Sequence, residues 1–388
     1  MNEFLKKAIE LKAVTKTDRR YLHQNAEAGR ELPSTTAYIK KRLKQIGLVP
    51  EEICNSGITA TIVGKYPGKT ILLRGDTDAL PMVESNELPF KSKTNAAHNC
   101  GHDMHTAMLL SAAQILMKKK DELKGNVKLM FQPAEEVFDG AKKMIEAGIL
   151  EQPKVDVAMG IHTMLDLEAP SIGYSSGNMT SSCDGFKIVI TGKGTHGATP
   201  HNGIDPINAG VHLYLAFQEL IAREVPPMET VSLTFGELSA GNSCNIVPQE
   251  CVLQGTLRAY NPQLRENIMK RIKEITMAME TMFRVKIEYE ALSCVPATYT
   301  NPELLKDMLV YVKEIEEDMQ YLPEYKVTPS DDFAFIAQRV PTVYFMLGCK
   351  VAGCNYAHHN PGVLFDEEAM IYGVALHAQC AYNWLNNQ

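Results

Sequence analysis

The sequence predicts an α/β protein, a helix-covered and mostly parallel sheet interrupted by a ferredoxin-like α+β insertion. Three observations lead there. At 388 residues the chain can bury a large core and divide into two domains. Apolar strand-like runs alternate with helical patterns over 1–179 and again over 293–388, the alternation that generates parallel strands under covering helices. Between 180 and 292 the order becomes βαββαβ, that of a split α+β unit.

Taken in order, helices are expected near 2–28 and 34–47, the second capped by Ser34 behind Pro33. The run 58–66 (ITATIVGKY), the turn Pro67-Gly68 and the run 70–74 (TILLR) read as a hairpin feeding a buried strand. The stretch 107–117 (AMLLSAAQILM) has helical periodicity, and Asp103 or Thr106 offers an oxygen to cap its first turn. A buried strand follows at 126–131 (NVKLMF), then a helix near 138–147 and a strand at 155–161. In the insertion, strands are expected at 186–191, 230–235, 251–260 and 285–289. Its helices fall at 206–223, with Asp205 as cap, and at 261–283, capped before Pro262. The first domain resumes with a helix from Asn301, another opened by 330–333 (SDDF), a strand at 342–347 and a capped terminal helix from about Asp366.

Composition narrows the function. A formal charge of −7 argues against nucleic acid or an anionic membrane as the main partner. No apolar run approaches a membrane span, and the start, MNEFLKKAIELKA, reads as an amphipathic helix rather than a signal peptide. Nine scattered cysteines without a Cys-x-x-Cys pair fit reduced thiols in a cytoplasm.

The chemistry gathers where strands end. The first strand stops in Gly75-Asp76-Thr77-Asp78, and the apolar helix is preceded by His98-Asn99-Cys100-Gly101-His102-Asp103-Met104-His105. The next strand stops at Glu135-Glu136 and the one after at His162. Open α/β sheets bind ligands at the carboxyl ends of their strands. Gly101 lets the backbone fold tightly enough for Cys100 and His102 to converge, and a thiolate beside an imidazole suits a borderline-soft ion such as zinc. Each piece has a plainer alternative: a buried thiol, a bracing His105, Asp-rich turns that hydrogen-bond locally. Their accumulation at one edge favours a metal site.

Seven segments in register resemble one family: RGDTDALPM (74–82), NCGHDMHT (99–106), FQPAEE (131–136), GIHT (160–163), GKGTHGATPH (192–201), NIVPQ (245–249) and HHNP (358–361). The chain resembles the aminoacylase/carboxypeptidase family of two-metal metallopeptidases, and more closely its amidohydrolase branch of N-acyl-amino-acid, hippurate and N-acetyl-diaminopimelate hydrolases. The resemblance implies a two-metal site with ligands Cys100, His102, Glu136, His162 and His359, Cys100 bridging. It makes Glu135 the general acid/base and Asp78 the acid that orients the site. His196, from the insertion, matches a residue that reaches the partner subunit's active site in dimeric relatives, so a homodimer through a lid domain at 180–292 is implied. Asn245 and Arg258 match positions that hold the substrate carboxylate. Where relatives often carry Glu, this chain has Asp331.

The chemistry of the residues agrees. Adjacent glutamates leaving a strand point different ways, so one can bind metal while the other faces water. A divalent ion lowers the pKa of water toward about 7, and zinc, manganese, cobalt or nickel all suit Cys/His/Glu ligation. Gly192-x-Gly194-x-x-Gly197 imitates a dinucleotide fingerprint, but Pro200, Gly203 and Asp205-Pro206 delay the helix that would have to meet the pyrophosphate. Three functions stay open: an amidohydrolase acting on small N-acyl amino acids, a dipeptidase or aminopeptidase of the same superfamily, and a non-catalytic binding protein. The intact Glu135 and ligand set favour an enzyme. Nothing in the insertion supplies an extra acid for a free α-amine, which favours the amidohydrolase.

Overall fold

A computed structural model describes residues 1–388. The chain forms two compact units, one of Met1–Met179, Thr298–Lys326 and Asp331–Gln388, the other of Thr180–Ala297 and Val327–Ser330.

The first unit is built on an eight-stranded mixed sheet. Its strands lie in the order Glu51–Cys54, Gly57–Val63, Lys124–Gln132, Tyr66–Asp76, Val157–Met164, Thr342–Gly348, Ser171–Tyr174, Gln320–Pro323. The four at the centre run parallel. They are nearly continuous in buried apolar residues (Ile71, Leu73, Val127, Leu129, Met159, Val343 and Phe345 among them), as strands covered on both faces must be. The helix His102–Lys118 packs against the helices Glu3–Gln24 and Met370–Asn386, which accounts for its burial on nearly every side.

The expected hairpin is not formed. Gly57–Val63 pairs antiparallel with Lys124–Gln132, and that strand in turn pairs parallel with Tyr66–Asp76, so it separates the two runs joined by the turn. The crossover through His102–Lys118 returns the chain into the slot a hairpin partner would take. Pro67 and Gly68 lie inside the irregular start of Tyr66–Asp76, where the register shifts between Tyr66 and Thr70. The hairpin partner of Gly57–Val63 is instead Glu51–Cys54.

Two caps also differ from expectation. The helix His102–Lys118 has Gly101 at its N-cap and no side-chain cap. Asp103 is engaged by Arg19 at 3.1 Å and His23 at 2.8 Å, and the Thr106 hydroxyl donates to the Asp76 carbonyl at 2.8 Å. A buried ion pair outranks a cap for the same carboxylate. The helix Pro33–Ile46 takes no cap from Ser34; the backbone N–H groups of Ser34 and Thr35 donate to the Glu27 carboxylate at 3.0 and 2.9 Å. Asp205, Asn261, Asn301 and Asp366 cap the helical turns that follow them.

The second unit carries a four-stranded antiparallel sheet ordered Val231–Ala240, Glu250–Ala259, Asp184–Thr191, Lys286–Ala291. The helices Pro206–Glu224 and Pro262–Phe283 pack on it around a core that includes Phe186, Ile190, Leu213, Phe217 and Ile272. After Gly192, Gly194 and Gly197 no helix begins until the short turn at Pro200 and the long helix at Pro206; the two-residue strand Thr195–His196 pairs instead with Ile246–Val247.

Candidate metal centre

Four adjacent elements of the first unit end at one place. Tyr66–Asp76 runs out through Asp78, and Lys124–Gln132 into the turn that holds Glu135 and Glu136. His162 sits near the end of Val157–Met164, and His359 follows Thr342–Gly348 in a loop. Between the first two strands the chain turns at Gly101, whose φ of 93° is left-handed and whose added Cβ would run into the Thr163 hydroxyl. That turn brings Cys100 and His102 to one side.

Two triads of possible ligand atoms share Cys100. Cys100, His102 and His162 form one, Cys100, Glu136 and His359 the other, with the atoms of each within 4.8 Å of one another. Cys100 Sγ lies 3.6 Å from His162 Nε2, and His359 Nε2 lies 3.4 Å from Glu136. The outer ring nitrogens are anchored. His102 Nδ1 faces the Asp78 carbonyl at 2.8 Å and His162 Nδ1 the Thr163 carbonyl at 2.8 Å, so each donates there and turns its Nε2 inward. His102 Nε2 and Glu136 Oε1 are among the buried side-chain atoms that have no hydrogen-bond partner. Unpartnered ring and carboxylate atoms beside a thiol and further imidazoles are the donor set of a thiophilic divalent cation, and the residues fit such an ion.

Electrostatics separates the two glutamates. Burial, then the charges of Asp331 and Glu136, hold Glu135 well above the usual carboxylate range. Burial acts on Glu136 in the same direction, but His359 and His102 outweigh it and hold that carboxyl below its ordinary value. Neighbouring carboxyls pushed apart in this way are suited to different roles. Asp78 braces both, accepting from the Glu135 N–H at 3.0 Å and the Glu136 N–H at 3.2 Å.

Sequence reasoning passed over the support beneath them. Arg74 is fully buried and donates to Gln132 at 2.9 Å, to Asp331 at 2.9 and 3.0 Å and to Tyr344 at 3.3 Å, and it pairs with Asp76 at 2.8 Å. His105 accepts from the Thr163 N–H at Nε2 and therefore donates from Nδ1 to Asp76, at 2.5 Å. Behind the metal turn, burial would depress His23, but hydrogen bonds to Asp103 and Glu84 raise it to about 9. Burial lowers neighbouring His98 to about 3. The available signal was an arginine inside an otherwise apolar strand, since such a charge is buried only with partners.

The remaining expected residues belong to the second unit. His196 and Asn245 are neighbours there: His196 pairs with Ile246, and the Gly197 N–H donates to the Asn245 carbonyl at 2.7 Å. His196 is exposed, and its Nδ1 accepts from the Ala198 N–H at 3.0 Å. Arg258, half-buried on Glu250–Ala259, donates to the Ser330 hydroxyl at 2.7 Å.

Known proteins are similar to this chain in sequence and fold. The pattern of peptidase family M20/M25/M40 matches residues 72–383. The chain is 36% identical over 355 residues to an N-acetyl-L-cysteine deacetylase of Bacillus subtilis, covering 91% of this chain and 84% of that one. It is 34% identical over 378 residues to thermostable carboxypeptidase 2 of Saccharolobus solfataricus, covering 95% and 94%. A solved Bacillus subtilis structure described as a dinuclear metal-binding peptidase of the M20 family superposes with a TM-score of 0.84 at 27% identity, covering 98% and 99%. With the match running through both units, the chain belongs to peptidase family M20/M25/M40 and is a metal-dependent hydrolase of amide bonds.

Proposed function

We propose that the protein removes the acyl group from N-acyl-L-amino acids, using two divalent ions held by Cys100, His102, Glu136, His162 and His359. The observation that carries this reading is the pair of triads sharing Cys100, with the Glu135 carboxylate beside them in a cluster with His102 and Glu136. Zinc or manganese suits the donor set best, and cobalt or nickel would also be accepted. When bound, the ions supply Lewis acidity that polarises the acyl carbonyl and makes water acidic enough to lose a proton at neutral pH. Glu135 takes that proton and passes it to the leaving nitrogen, and Asp78 keeps Glu135 and Glu136 in register through their backbone N–H groups. His196 stabilises the oxyanion, and Asn245 and Arg258 hold the substrate carboxylate.

In the same reading, the insertion at 180–292, which makes up most of the second unit, is a lid and dimerisation domain, the homodimer forms through it, and His196 acts on the partner's site. Its outer strand Val231–Ala240 pairs on one side only, and an unpaired strand edge seeks a partner. The enzyme works in the cytoplasm on a small-molecule substrate, where its cysteines stay reduced.

The named carboxypeptidase relative supports a second reading, hydrolysis of dipeptides or longer peptides. A panel of N-acetyl, N-benzoyl and long-chain N-acyl amino acids, assayed beside dipeptides with each metal added in turn, separates the two. Higher kcat/KM for acylated amino acids supports deacylation; a preference for free α-amines refutes it.

A further inference from the structure

The two glutamates occupy a turn under strain. It leaves the strand Lys124–Gln132 and rejoins regular structure at the helix Gly140–Glu146. Ala134 and Phe138 bracket the pair at φ values of 56° and 54°, left-handed conformations that residues other than glycine adopt at a cost. The ends of the turn approach so closely that a Cβ at Gly140 would collide with the Pro133 carbonyl. Such a conformation persists only where its surroundings over-determine it.

One side chain grips both ends. Asp332 is fully buried; its Oδ1 accepts from Gln132 Nε2 at 2.5 Å and its Oδ2 from the Ala141 N–H at 2.9 Å. Gln132 is locked in turn, because its Oε1 accepts from Arg74 Nε at 2.9 Å. The Arg74 guanidinium stands 3.7 Å from Asp332. These donors and this cation are the partners a carboxylate requires. Asp78 holds the middle of the turn from the other strand.

We infer that Asp332 is a positioning residue for the proposed hydrolysis, a clamp that closes the 132–141 turn and thereby aims Glu135 and Glu136. The inference rests on the proposed roles of these two glutamates, and it assigns Asp332 a function that neither the motif resemblance nor the two Cys100 triads give it. The Asp332 carboxylate lies within 4.8 Å of that of Glu135 but its hydrogen bonds go to Gln132 and Ala141, so it acts on the glutamates through the backbone it fixes. Misplacing a catalytic group by about 1 Å costs on the order of 10²-fold in rate. A loosened turn should therefore lower both kcat and metal affinity while leaving KM nearly unchanged.

The test exchanges the polarity of the clamp. In Asp332→Asn the new amide has one acceptor where two donors face it, so one end of the turn is released. In Gln132→Glu a second carboxylate faces Asp332. Combined, the two changes restore the pairing. The carboxylate introduced at position 132 accepts both from Arg74 and from the amide introduced at position 332, and the oxygen of that amide accepts from the Ala141 N–H. In full-length protein we expect each single variant to lose at least about 10-fold in kcat at saturating metal and to bind zinc more weakly by chelator competition. Q132E/D332N should recover most of both. A D332N variant with wild-type kcat and zinc affinity overturns the clamp. So does a double variant that does not fold, or that folds and stays as impaired as D332N. Should D332N alone fail to fold, recovery in the double variant decides the matter in the same way. The zinc measurement keeps the two ideas apart: wild-type protein inactive on every N-acyl amino acid refutes the proposed function, whereas the zinc cycle still tests the clamp.

Discussion

Replacing Arg74 by methionine tests the network beneath the candidate site without touching any proposed ligand. Arg74 is fully buried, and it faces three acids, Asp76, Asp331 and Asp332, as well as Gln132 and Tyr344. Removing one partner of a buried ion pair costs about 3–5 kcal/mol, because the other charge is left uncompensated. Here the acids share one cation, so the loss should reach the upper end of that range. That is a large part of the roughly 5–15 kcal/mol typical of a whole fold. Arg74→Lys keeps the charge but not the planar fork that bonds Asp331 through two nitrogens, and it should fall between the two. The single tryptophan, Trp384, lies in the core of the first unit, so urea unfolding followed by its fluorescence reports on that unit. The pH dependence has a definite sign. Burial raises the Asp76 carboxyl, but Arg74 first and then the histidines bring it well below the ordinary value. With Arg74 gone, burial prevails and Asp76 titrates higher. The destabilisation of the variant should be full at neutral pH and shrink as pH falls into the carboxylate range. A loss below about 1 kcal/mol, the net worth of one ordinary hydrogen bond, would refute the claim that Arg74 holds the acids together.

Glu135→Gln should keep its metal while turnover falls by about 10²-fold or more, whereas Glu136→Gln should lose metal by elemental analysis; the reverse pattern would exchange their roles. His196→Ala should lower turnover without removing metal. Mixing His196→Ala with Glu135→Gln subunits should restore activity if His196 works in trans; no recovery after verified subunit exchange means that it acts within its own chain or not at all. Chelation should lower the urea midpoint more at pH 8 than at pH 5.5. Without metal, burial keeps the Glu135 and Asp78 carboxyls above their ordinary values, Glu135 by a wide margin. The fold then binds more protons than the unfolded chain and loses stability as pH rises from the ordinary carboxylate range through these raised values. Equal losses at both pH values would contradict the placement of these acids.

Much of this was legible because periodicity and strand ends are local signals. The alternation that announces a parallel sheet, and the acids, thiol and imidazoles at 76–78, 100–102, 135–136 and 162, need no tertiary knowledge. Pairing order is a different matter. The run 58–66 and the run 70–74 look like hairpin partners because they are adjacent in sequence, and only the crossover helix decides that Lys124–Gln132 lies between them. The strands Ser171–Tyr174 and Gln320–Pro323 escaped because four residues are too few for a pattern. Caps failed where a tertiary partner competed: Asp103 was engaged by Arg19 and His23, and Glu27 did the work expected of Ser34. Asp331 and Asp332 were invisible as support because their partners lie far away in the chain, at Arg74, Gln132 and Ala141.

The acids around the centre divide by side-chain length. Asp76, Asp78, Asp331 and Asp332 all bind frame. Asp78 accepts from two backbone N–H groups, Asp76 is engaged by Arg74 and His105, and Asp331 by Arg74, Tyr344 and the Phe333 N–H. Asp332 closes the turn. An aspartate keeps its carboxylate close to its own backbone, which suits it to tying neighbouring main chain together. Glu135 and Glu136 carry one more methylene, and their carboxylates come within 3.9 and 3.8 Å of His102 Nε2. The four shorter acids consume the fixed positive charge and the backbone donors nearby. The longer acids face a thiol and imidazoles instead; His359 and His102 offset Glu136, while Glu135 stays well above the usual carboxylate range, and this is where added positive charge, in the form of divalent ions, would be best received.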